Sequence, residues 1–90
     1  MSDQQLHKTL EKLQDELTNA QPKDIVADAA IEDVQRDLQK VLEQSAGEPT
    51  EQHQSLLARL RNAIPYFEST HPRLTTAMNE VVDELNRMGL

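Results

Sequence analysis

Apolar residues recur along this chain at helical spacing, and no window shows the strict alternation of a strand. Leu6, Leu10, Leu13 and Leu17 are separated by four, three and four positions, which puts them on one stripe of a helix. Ser2 followed by Gln5 makes a capping box, and Met1 before it can pack on Leu6 as a hydrophobic staple. A first helix is therefore predicted over residues 3–19, ended by Pro22, which biases Gln21 away from helical geometry. Asp24 is the expected N-cap of a second helix over residues 24–45, with Asp28 near the positive end of its dipole. Its stripe is Ile31, Val34, Leu38, Val41 and Leu42, preceded by the weaker Val26, Ala27 and Ala30. Glu32 can pair with Arg36 on its exposed side, and Gly47-Glu48-Pro49 is a stop signal.

From Pro49-Thr50 onward the pattern is more regular. His53, Leu57, Leu60, Ile64, Phe67, His71, Leu74, Met78, Val81, Leu85 and Met88 alternate spacings of four and three without interruption, a heptad seam. Pro65 and Pro72 lie beside that seam, seven residues apart. One continuous helix would be roughly 57 Å long at 1.5 Å per residue and would hold two interior prolines at about 3 kcal/mol each. A break at Ser69-Thr70-His71 instead places Pro72 at the first helical position, where its missing N–H costs nothing. The break is the less costly solution, so helices are predicted over residues 50–69 and 72–88, the first of them kinked over Arg61 to Pro65. Gly89 suits the left-handed C′ position, from which Leu90 can touch Leu85.

Composition adds a question of assembly. Ninety residues make one domain with a small core; hydrophobic residues are 37% of the chain, and Tyr66 and Phe67 are its only aromatic residues. With no cysteine and no obvious metal cluster, oligomerisation is the remaining common staple for so small a scaffold. The expected fold is all-α: a single helical domain over residues 1–90, either a small four-helix bundle or paired helical hairpins. Its coiled-coil-like heptad seam favours a homodimer over a monomer. The interface candidates are Leu57, Leu60, Ile64, Tyr66, Phe67, Leu74, Met78, Val81 and Leu85. Tyr66 falls off the seam near Arg59 and Asn62; it is either an interface anchor or a cover for its own core edge.

Charge and the scarcity of reactive residues then exclude several activities. Sixteen acids against nine bases give a formal charge of −7, and no segment between the predicted turns is net positive. Nucleic acids and anionic membranes would therefore find no basic patch to neutralise their phosphates. No apolar run reaches transmembrane length and the start is not a signal peptide, so a cytoplasmic protein is expected, which the lack of cysteine fits. There is no thiol nucleophile, no serine in a glycine-rich elbow, and both glycines read as helix terminators rather than phosphate cradles. No enzyme activity and no cofactor are expected. Glu68 and His71 form an E-x-x-H pair, the spacing of helical di-metal carboxylate proteins, but the further acids would have to come from apolar stripes of the first two helices. The expected function is a non-catalytic protein–protein interaction module with an acidic surface, which self-associates and docks a basic or amphipathic partner. The alternative is a metal-binding helical protein that uses Glu68 and His71 across a dimer.

The carboxy-terminal third carries Phe67-Glu68-Ser-Thr-His71-Pro72-Arg-Leu74 and then Leu85-Asn-Arg-Met88-Gly89-Leu90. In these motifs, F-E-x-x-H-P-x-L and a terminal M-G-[IL], the chain resembles a family of short proteobacterial proteins known only as a domain of unknown function. The resemblance extends over essentially the whole chain, and it implies an all-helical fold with no known activity. The family pattern has an ordinary helix former where this chain has Pro65. The resemblance thus makes Pro65 particular to this sequence and the His71-Pro72 junction the shared element.

Overall fold

The structure is a computed structural model, and it describes residues 2–21, 23–43 and 51–90. Four helices follow one another: α1 (Ser2–Asn19), α2 (Ile25–Glu43), α3 (Glu51–Phe67) and α4 (Pro72–Arg87). The Met1 staple, the Ser2 capping side chain, Pro22, the Gly47-Glu48-Pro49 stop and the helix opening at Pro49-Thr50 lie outside what is described.

The helix ends follow from local chemistry. Asp24 caps α2: its Oδ1 accepts the Ala27 N–H at 2.8 Å, and its carbonyl accepts the Asp28 N–H at 3.0 Å. α3 passes through Pro65 and ends two residues later at Phe67, short of the expected Ser69. The proline sits in the last turn, so it deprives only the Arg61 carbonyl, one turn back, of its i+4 donor. The His71 N–H closes the turn on the Phe67 carbonyl at 2.8 Å, and Pro72 opens α4 at the first helical position as predicted. α4 ends in a Schellman motif, in which Leu90 N–H donates to the Leu85 carbonyl at 3.2 Å and Gly89 N–H to that of Asn86 at 3.0 Å. Gly89 has φ +93°, the left-handed conformation that glycine adopts without a Cβ penalty.

The helices form a closed antiparallel bundle, 37 × 19 × 19 Å, in which each packs against two neighbours in the cyclic order α1, α2, α3, α4. Cross-links record the directions. Lys12 pairs with Glu80 at 2.9 Å at mid-helix while Gln21, just past the end of α1, meets His71 at the start of α4. Arg59 pairs with Asp37 at 2.6 Å while Tyr66 at the end of α3 meets Asp24 at the start of α2. The four leucines of α1, the Ala27, Ile31, Val34, Leu38 and Val41 stripe of α2, and the inward faces of α3 and α4 share one core. Among the described residues no helix is long and apolar enough to cross a membrane.

Leu57, Leu60, Phe67, Leu74, Met78, Val81 and Leu85, seven of the nine interface candidates, are buried in the chain's own core, and Ile64 is partly so. Only Tyr66 is exposed. The α3 and α4 halves of the seam face inward across a hairpin. The reason is visible one position before the seam: Leu56, Ala63, Ala77 and Glu84, all buried, recur at multiples of seven and widen the stripe. A stripe of three positions in seven suits a globular bundle, whereas a two-position seam suits a two-stranded coil. Glu84 is tolerated there because Arg87 reaches it at 2.8 Å.

Two smaller expectations also change. Val26 is 63% exposed and does not join the α2 stripe, since it lies about 100° around the helix from buried Ala27. Arg36 pairs with Asp33 at 3.0 Å, one turn back, rather than with Glu32.

Candidate functional site

At one end of the bundle the α1–α2 connection meets the α3–α4 corner, and the rare side chains of the sequence collect there. Phe67 is fully buried; the Tyr66 ring meets it edge-on at 5.0 Å and the His71 ring at 5.4 Å. Tyr66 donates its hydroxyl to Asp24 Oδ1 at 3.3 Å, the same oxygen that caps α2. Partial burial, then the charge and hydrogen bond of Asp24, push the Tyr66 phenol up from its ordinary value. Tyr66 therefore does cover an edge of its own core, while 45% of it stays accessible.

His71 is a latch between the two connections. Its Nε2 lies 2.9 Å from the Gln21 carbonyl, which can only accept, so Nε2 carries the proton. In the neutral ring Nδ1 then accepts from Thr70 Oγ1 at 2.9 Å. Both ring nitrogens are engaged, and Glu68 is exposed beyond the end of α3, so the helical register that an E-x-x-H pair needs does not exist here. Among the described residues no three of His, Cys, Asp and Glu come together as a metal site. The other histidines lie elsewhere: His7 pairs with Glu11 on the surface, and burial lowers the pKa of His53.

Two clefts flank this end. The first, about 240 Å³, runs between α2 and α3 and is lined by Val26, Ala30, Ala63 and Tyr66, with Asp33 and Arg59 along it. Arg59 bonds Asp37 at 2.6 Å and Asp33 at 3.5 Å. The Asp37 hydrogen bond raises its pKa, with burial opposing and the charges of Asp37 and Asp33 assisting. Next to Val26, Ile25 is 87% exposed. The second cleft, about 410 Å³, lies between the end of α1 and the start of α4, with Ala20 and Leu74 in its wall and Lys23 and Arg73 along it.

Sequence reasoning singled out Tyr66, Arg59 and Asn62, which the structure does bring together in the first cleft. It missed Ile25 and Val26. The signal was present, because neither falls on the stripe defined by Ile31, Val34 and Leu38.

The class these features define is a small all-α domain, an antiparallel four-helix bundle with both aromatic side chains and His71 gathered at one end. The chain belongs to the family described as domain of unknown function DUF4404, whose model matches residues 6–90. Comparison with curated proteins and with solved structures gave no match.

Proposed function

We propose that this chain is a non-catalytic helical interaction module that self-associates through the α2–α3 face. The supporting observation is the exposure of Val26 and Tyr66, two of the three large hydrophobic side chains left uncovered among the described residues, which both line the 240 Å³ cleft. Exposed apolar groups that gather rather than scatter mark contact surfaces.

Charge balance on this face is compatible with a second copy as the occupant. The chain carries −7, so two copies repel unless they meet where charge is balanced. On this face Asp33, Arg36, Asp37 and Arg59 neutralise one another through ion pairs at 2.6 to 3.5 Å. A two-fold axis would bring the patch against itself, and fully burying a valine or isoleucine contributes about 1.5–3 kcal/mol.

Sedimentation equilibrium of the full chain at roughly tens of micromolar tests the reading, by mass action. The native chain should be dimeric and Val26→Asp monomeric. Val26 is exposed and occupies the second position of α2, where an acid complements the helix dipole, so the variant keeps its fold. A monomeric native chain, or a Val26→Asp dimer, overturns the reading; pairing only after a basic peptide is added would assign the face to a foreign partner instead. Leu60 is unsuitable for this test, because an aspartate at that fully buried position would unfold the bundle itself.

A further inference from the structure

Nine lysines and arginines face sixteen acids on this chain, and four of the nine are engaged in ion pairs among the described residues. Lys12, Arg36, Arg59 and Arg87 are each paired. Lys8, Lys23, Lys40, Arg61 and Arg73 form no ion pair among the described residues, and of these Lys23 and Arg73 together line the larger cleft. Glu16 is the one acid in that lining, and it forms no ion pair with either of them. The cleft is therefore locally positive on a molecule of net charge −7.

Its wall has a different character. Ala20, Pro72 and the buried Leu74 are apolar, and the aliphatic stems of lysine and arginine extend such a surface while their charged ends stay in water. At about 410 Å³ the cleft falls in the size range of small-molecule sites, about 300–1,000 Å³. His71, tied to the Gln21 carbonyl, holds the two sides of the cleft together.

We infer that this cleft binds a small amphiphilic carboxylate, its anionic head between Lys23 and Arg73 and its aliphatic body against Ala20, Pro72 and Leu74. Charge alone would be satisfied by any anion, and an apolar wall alone by any hydrocarbon; the juxtaposition requires both in one molecule. The inference goes beyond self-association and does not depend on it.

Octanoate is the probe, titrated below its micellar concentration into the Val26→Asp variant so that dimerisation plays no part. Amide and methyl resonances of Ala20, Lys23, Arg73 and Leu74 should shift saturably. Acetate, which lacks the body, and octylamine, which reverses the head, should bind at least about tenfold more weakly. The Lys23→Gln, Arg73→Gln double variant, altered only at exposed positions, should weaken octanoate binding by a similar factor while its melting temperature is unchanged. Equal responses to acetate or octylamine, an unaffected double variant, or shifts centred on Tyr66 instead of Leu74 would each overturn the inference.

Discussion

At the scale of single residues, Asp24 links two tasks. One carboxylate oxygen caps α2 through the Ala27 N–H and also accepts from Tyr66 at the end of α3. Replacing Asp24 with Ala should cost about 1 kcal/mol, which for a domain of this size lowers the melting temperature by about 4–8 °C. Tyr66→Phe should cost something in the native background and almost nothing once Asp24 is gone. Thermal melts of the two single variants and the double variant measure this coupling, and strict additivity would show that the 3.3 Å contact carries no energy. The cap itself was legible in the sequence, since an aspartate stands directly before a helical stripe. Its second partner was not, because Tyr66 lies 42 residues away and only the bundle brings it near. The same holds for Arg59 with Asp33 and Asp37, which lie 26 and 22 residues away and are brought near by packing.

At the scale of elements, the two prolines beside the seam have opposite consequences. Pro72 begins a helix and costs nothing, which is why a break at Ser69-Thr70-His71 could be placed from sequence, one residue short of the observed corner at residues 68–71. Pro65 lies inside the last turn of α3, where it withholds an N–H from the Arg61 carbonyl. Its side chain is exposed, so Pro65→Ala leaves the core unaltered and restores that donor. Loss of the proline also frees the unfolded chain by about 0.4–1 kcal/mol, which opposes the gain. The helix-propensity difference, about 3 kcal/mol in a helix interior and smaller near an end, is the larger effect. Pro65→Ala should therefore stabilise the protein by about 1 kcal/mol in chemical denaturation, with an unchanged denaturant slope. A destabilised variant would mean that the proline fixes the approach of α3 to its corner, and with it the ring stack of Tyr66, Phe67 and His71.

At the scale of the whole molecule, four helices and one core were legible because every stripe has the helical period and every turn carries a proline, glycine or cap. What the period could not show was where the α3 and α4 stripes point, since a rung that faces a second chain and one that faces a hairpin partner have the same spacing. Burial of Leu56, Ala63, Ala77 and Glu84 beside the seam decides in favour of the hairpin. The seam is thereby filled within the chain, and the proposed self-association uses the α2–α3 face, where Val26 and Tyr66 line the cleft. Salt then separates two ways in which that face could pair. Copies carrying −7 each repel over a Debye length of about 30 Å at 0.01 M salt but only about 8 Å at 0.15 M, while apolar burial is little affected. An interface made by Val26 and Tyr66 should tighten as salt rises through that range, measured as a falling dissociation constant in sedimentation equilibrium. If dimers loosen instead, Asp33 and Arg59 have exchanged their partners within the chain for partners across the interface. The contact would then be electrostatic, and the reading that rests on exposed apolar groups would be overturned.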